Sequence, residues 1–521
     1  MKKTRSLFPV LFMMAFVLGA CTAKEASVEE KVQVESGYIS GFQDMESGVI
    51  SFKGIPFAAP PVGDLRWKAP QPVEPWEGTR ECTSFGPSPV QAAPAPFMFW
   101  SEEFLIPEEP IGEDCLYLNV WTKAETEADK LPVLVYIYGG GFRSGGAGCA
   151  IYDGGAMAKK GVIFVSINYR VGVFGFLAHP ELSAEAGYGS SGNYAILDMI
   201  AALKWIQQNI EQFGGDAGNV TIAGQSAGSF AVNYLTVSPL AKGLFHKAIA
   251  QSGAAFLKSP FRPSVTLEEA EQTGLAFAEG LGSASLAELR SLPADSILNA
   301  RGGLNGPFTD GYVIPESVMD AYENGQQNDV PVIVGWNGDE GMMMQMQAAD
   351  KFKEQAELRF GDLAEDFLAV YPAGTEEEAT RSQVDMSRDE TFGIQAYTWA
   401  KTQSLRGKSP VYLYNFNRKL PAHSLETQFG AFHSSEIVYA YDNLHTLDRP
   451  WEAIDQEIAD QMSSFLVNFV RTGNPNGPEL PKWDPYTLQQ EGAMLLDTVT
   501  GQQSIPSLDQ LKFWETYFLK L

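Results

Sequence analysis

The stretch NVTIAGQSAGSF, Asn219 to Phe230, decides the fold. Val220 to Ala223 is a short apolar, β-branched run and reads as a strand. SAGSFAVNYL reads as the helix that follows it. Between them Gly224, Ser226 and Gly228 form a G-x-S-x-G pattern. A serine at such a strand-to-helix turn is strained and keeps its hydroxyl exposed. Glycines flank it because side chains there would strike the neighbouring strand and helix. The helix N-terminus also favours developing negative charge. Ser226 is therefore a candidate nucleophile, and the plainer reading is a tight turn without chemistry.

The surrounding chain has βαβ grammar. LPVLVYIYGGGF and GVIFVSINYRVGVFGF are continuous apolar runs, as buried parallel strands require. In NYAILDMIAALKWIQQNIEQF, Ile196, Ile200, Leu203, Ile206 and Ile210 recur on one face of a helix. GGDAGN ends it before the next strand. DVPVIVGWN and SPVYLYNFN are later strand candidates, and Ile454 to Arg471 is the last helix candidate. Residues from Val32 to Phe57 alternate and predict a small antiparallel sheet. Without repeats or an internal linker, residues 32–521 read as one α/β catalytic domain with a mostly parallel sheet and large insertions.

With 521 residues, 45% hydrophobic, the chain can bury a large core. Its formal net charge of -27 repels phosphate backbones, which argues against nucleic acid as a partner. Lys2, Lys3 and Arg5 precede an apolar run from Leu7 to Ala20, the pattern of an export signal. The run ends in LGAC, which resembles a bacterial lipobox. That resemblance implies cleavage before Cys21, lipidation of Cys21, and an exported lipoprotein held at a membrane surface facing the periplasm or the exterior. Residues 21–31 read as a flexible tether. Export would preserve a disulfide, and Cys82 with Cys115 is the favoured pair, leaving Cys149 free; spacing alone does not choose it.

A serine needs a base, and the chain has five histidines. His179 precedes the serine and His246 lies in an apolar-periodic segment; the order nucleophile, acid, base puts the base late, which suits His433, while His423 and His445, in loop-like segments, stay open. The acid should follow a late strand, and VIVGWNGDEG offers Asp339 or Glu340. YGGGF, Tyr138 to Phe142, leaves backbone N–H groups open after a buried strand. Gly140 and Gly141, with Ala227 after the serine, are candidate oxyanion donors.

Together with FKGIPFAAPPVGDLRW, EDCLYLNVW, INYRVGVFGF, LFHKAIAQSG, DEG and RTGNPNG, these motifs resemble the type-B carboxylesterase family, which includes para-nitrobenzyl-type esterases and cholinesterases. The resemblance covers nearly the whole chain after the leader. It implies an α/β-hydrolase fold, with helices on both faces of the sheet and insertions around an active-site gorge. It implies a triad of Ser226, Glu340 and His433, with Ser252 supporting the acid and Cys82 paired to Cys115. It implies an ester substrate and neither metal nor organic cofactor. Two positions depart from the family's habit. Tyr138 stands where histidine is usual, and Gln225 stands where many relatives carry glutamate. An amide at 225 does not attract a cationic substrate, which points towards uncharged esters. Carbohydrate-linked acetyl or feruloyl esters would use the same chemistry. A non-catalytic binding protein on this fold is disfavoured by a filled triad. Residues 84–112 and 337–368 are expected to shape the gorge, with Met342, Met343, Met344 and Met346 as candidate lining.

Overall fold

The computed structural model describes residues 30–107, 110–258, 264–342, 345–424 and 427–520. The leader, Cys21, most of the tether, Met343 and Met344 lie outside the described residues. An eleven-stranded sheet forms the centre. From edge to edge its strands are Gly501–Ser504, Gly492–Leu496, Val411–Phe416, Val332–Asn337, Lys247–Gln251, Gly215–Gln225, Leu131–Ile137, Ile163–Ile167, Tyr117–Thr122, Ile50–Pro56 and Phe42–Gln43. The seven strands from Gly492–Leu496 to Ile163–Ile167 pair in parallel. The pairings outside them are antiparallel. The apolar runs supply the buried middle: every residue of Ile163–Ile167 and Val332–Asn337 is buried.

The order of connection places the site. From Leu131–Ile137 the chain moves outwards to Ile163–Ile167, then returns to pair Gly215–Gln225 on the other side of the first strand. All later parallel strands add on that second side. Right-handed crossovers in opposite directions put helices on both faces and open a crevice where the order reverses. That crevice lies at the carboxyl ends of Leu131–Ile137 and Gly215–Gln225, from which the YGGGF loop and Ser226 emerge.

Two helices illustrate the local logic. Tyr194–Asn209 buries Ile196, Ile200, Leu203 and Ile206, the stripe read from the sequence. A 3₁₀ turn, Ile210–Phe213, extends it until Gly214 adopts φ 77°, a left-handed stop that glycine makes at little cost. Ala453–Thr472 starts from a reciprocal cap between Glu452 and Asp455 and ends at Gly473 with φ 79°. No helix among the described residues is long and apolar enough to cross a membrane.

The N-terminal region is divided. Lys31–Val34 and Gly37–Ser40 form the expected antiparallel hairpin, and Thr79–Glu81 adds to it in parallel. Phe42–Gln43 and Ile50–Pro56 join the edge of the large sheet instead. The handover occurs at Gly41, where a Cβ would lie 2.6 Å from the Ser51 carbonyl oxygen.

The expected disulfide is not formed. Cys82, Cys115 and Cys149 are free and buried. The carbonyl of Cys82 accepts from Lys53, whereas Leu116, next to Cys115, accepts from Phe57. Burial pushes the Cys82 and Cys149 thiols up to about 11 and Cys115 higher still, so all three stay as inert thiols at neutral pH.

Two motif arginines act as staples. Arg170 bonds Asp198 through its N–H, Nε and Nη2, all buried. Arg66 grips Glu113 through Nε and Nη2 while Nη1 donates to the carbonyls of Arg290 and Leu292.

Candidate active site

Ser226 sits at the elbow with φ 55° and ψ -122°. Its N–H donates to the Gln251 carbonyl at 2.8 Å, which fixes the turn to the next strand. A Cβ on Gly228 would meet the Ile137 carbonyl oxygen at 1.9 Å, and one on Gly224 would meet Gly228 at 2.4 Å. The glycines are thus imposed by the close approach of the helix Ala227–Val237 to the strand Leu131–Ile137. Gly228→Ala is expected to destabilise the fold by about 3 kcal/mol or more, because the blocking atom is backbone. Urea unfolding of the purified variant measures it.

The YGGGF loop lies against the elbow. A Cβ on Gly139 would come within 2.8 Å of the Gln225 carbonyl. Gly140 has φ 114° and is closed on its Cβ side by Ser144, whereas a Cβ on Gly141 would meet nothing within 4 Å. Ala227 opens its helix, so its N–H has no carbonyl one turn earlier. Tyr138 is buried, stacked on Tyr169 at 4.2 Å, and the two rings exchange hydroxyl–carbonyl hydrogen bonds at 2.8 and 2.9 Å. It stiffens the loop's root and adds no group to the cavity lining.

The two acids turn to different partners. Glu340 is turned inward, 0% exposed, with Oε2 2.8 Å from His433 Nδ1. Its Oε1 accepts the Asn337 N–H at 2.8 Å. Asp339 turns the other way, pairing with Arg381 and accepting the Ala431 N–H. The imidazole of His433 is stacked under Phe392 at 4.5 Å and met edge-on by Trp100 at 6.1 Å. Phe392 comes from a π-turn, Asp389–Gly393, held by the buried Arg388–Asp389 pair; such turns gather at functional sites.

Gln225 faces the same ring. Its Nε2 lies 3.3 Å from Nε2 and 3.4 Å from Nδ1 of His433. Its Oε1 accepts from the Ser434 hydroxyl at 3.2 Å, and Trp100 Nε1 donates to that hydroxyl at 3.2 Å. Ser252 does not take its expected place. Its buried hydroxyl makes no hydrogen bond among the described residues, at a strained φ of 56°. The Asn337 N–H supports the acid instead.

Ser226, Gly141 and His433 open into one cavity of about 960 Å³. Phe142, Phe230, Phe256, Leu304, Phe308 and Phe392 share its walls with polar side chains and with the charged Arg143, Lys258 and Asp320. Met342 lines it, whereas Met346 is exposed. Among the described residues of 84–112 none lines it; Trp100 packs on His433. Asn337, Phe392, Trp100 and Ser434 were not singled out from sequence. Only Ser434 carried a signal, its place next to the favoured base.

Comparison with known proteins gives the family. The model of the carboxylesterase family matches residues 28–514. The chain is 35% identical over 504 residues to a fumonisin B1 esterase of Sphingopyxis macrogoltabida, covering 91% of this chain and 89% of that protein. It is 34% identical over 506 residues to the para-nitrobenzyl esterase of Bacillus subtilis, covering 92% and 97%. A solved PNB esterase structure superposes with a TM-score of 0.79 at 31% identity, covering 93% of this chain and 99% of that one. The chain therefore belongs to the carboxylesterase family and is a carboxylic-ester hydrolase.

Proposed function

We propose that Ser226, His433 and Glu340 hydrolyse uncharged carboxylic esters through an acyl-enzyme. The observation that carries this reading is the buried 2.8 Å contact between Glu340 and His433 Nδ1, in the cavity onto which the strained Ser226 opens. Glu340 holds the proton of His433 on Nδ1, leaving Nε2 to take the Ser226 proton as its Oγ attacks the ester carbonyl. The N–H groups of Gly140, Gly141 and Ala227 receive the oxyanion. His433 then protonates the leaving alcohol, and a water activated by the same imidazole releases the acid. Phe392 and Trp100 shield the imidazolium from bulk water, which strengthens its attraction to Glu340. Labelling with a fluorophosphonate tests the reading: one equivalent on Ser226 supports it, and a label elsewhere or none overturns it.

The amide at 225, beside the imidazole, supports a preference for uncharged esters over cationic ones. Gln225→Glu would place a carboxylate within reach of both imidazole nitrogens. An anion there favours the imidazolium, and His433 acts as base only when neutral. The acid limb of kcat/KM is therefore expected to move up by about one pH unit, with a gain in choline-ester turnover. A pH series on para-nitrophenyl acetate and butyrylthiocholine reads both.

Location is proposed from the leader alone. The basic start, the apolar run and LGAC support export and lipidation of Cys21, with the enzyme tethered at a membrane surface. Cys21→Ala is expected to release the activity into the soluble fraction of cells.

A further inference from the structure

A second carboxylate, Glu436, lies three residues beyond His433 and is 0% exposed. Asn337 bridges the two acids. Its N–H donates to Glu340 Oε1 at 2.8 Å and its Nδ2 to Glu436 Oε2 at 2.5 Å. The other oxygen of Glu436 accepts from Gln251 Nε2 at 3.5 Å, and the backbone N–H of Glu436 itself also reaches the carboxylate. Glu340 belongs to the loop after Val332–Asn337 and is paired with His433. The remaining titratable groups facing Glu436 are Tyr136, Tyr414 and Tyr441, phenols that burial keeps protonated. No lysine or arginine forms an ion pair with Glu436 among the described residues, and burial with the neighbouring Glu340 charge pushes its carboxyl up to about 8. Two buried carboxylates joined by one amide, with no guanidinium or ammonium beside them, do not both ionise cheaply.

We propose that Glu436 is a positioning residue of the ester-hydrolysis reaction, holding the one proton that the buried carboxylate pair retains, so that Glu340 alone is the anion paired with His433. The inference rests on the reading of Ser226, His433 and Glu340 as the triad. While Glu436 is neutral, Glu340 is free to accept from Nδ1 and from the Asn337 N–H. In alkali the Glu436 proton passes to solvent hydroxide, giving water and a second buried carboxylate. That added negative charge favours the imidazolium formed during attack, so turnover steps up. The same proton affects stability. The folded-state value lies above the unfolded one, so the stabilisation is complete below the ordinary carboxylate range and is lost as pH rises through about 8.

The test is a pH profile of kcat/KM for para-nitrophenyl acetate, from about pH 5 to about pH 10, on the full-length wild type and Glu436→Gln. Rates are divided by active sites counted with a fluorophosphonate. The wild type is expected to rise twice, once for the base and again near about 8. Glu436→Gln should keep the first rise, lose the second, and show a flatter fall of Tm over the same range. A labelled variant with both rises, or one slowed equally at every pH, overturns the proposal. A wild type that takes no label overturns the triad reading instead. Should Glu436→Gln fail to fold, the wild type alone decides by infrared spectroscopy. A protonated-carboxyl stretch at neutral pH that bleaches on alkalinisation supports the proposal, and its absence at neutral pH overturns it.

Discussion

Replacing Ser226 with alanine is expected to lower kcat on para-nitrophenyl acetate by roughly 10⁵- to 10⁶-fold. The remaining groups act on a bond that no longer has an attacking atom, so they contribute little without it. KM should change little, because the walls of the 960 Å³ cavity are untouched. Stability should also change little: the position keeps φ 55° with either residue, and the strain in a non-glycine residue there is the same. Active-site-titrated kinetics beside a thermal melt check both statements. A variant retaining more than a few per cent of the wild-type rate would remove Ser226 from the chemistry.

Glu340→Gln is expected to cost about 10⁴-fold in kcat while keeping the fold. The surroundings set the sense of the new amide. The Asn337 N–H at 2.8 Å claims an acceptor, so the amide oxygen takes the place of Oε1 and the NH₂ group faces His433 Nδ1. An amide donor there selects the imidazole tautomer with its proton on Nε2. That tautomer cannot accept the serine proton. Asp339→Asn is the matched control. Asp339 pairs with the half-exposed Arg381, so its loss should leave kcat within about threefold of wild type, the scale of a surface ion pair.

The contrast between these neighbours shows where the sequence stops being legible. The strand-turn-helix around Ser226, the glycine loop and the late histidine each carry a local signature, because each is fixed by backbone geometry that few residues satisfy. Asp339 and Glu340 follow the same strand, and nothing in their spacing tells which one turns inward. The family resemblance pointed to Glu340, and the inward turn of its side chain agrees with that choice. The disulfide expectation rested on export and resemblance, and the structure leaves both thiols free. Phe392 was invisible because a π-turn has no periodic pattern and the aromatic stacks on a residue 41 positions later. Glu436 stood in plain view in HSSE, but a glutamate next to a candidate base reads as a solvated charge until its burial is known.

The reversal of strand order has a consequence for how activity arises. Gly140, Ser226, Glu340 and His433 come from four separate connections spread over nearly 300 residues. They converge only when the parallel strands between them are in register. A chain ending before His433 carries the elbow and the glycine loop but no proton acceptor, and is chemically silent. Turnover is therefore a report on the pairing of the strands from Leu131–Ile137 to Val411–Phe416, and long-range pairing of this kind is slow. Hydrolysis begins only once the chain is in place as far as His433.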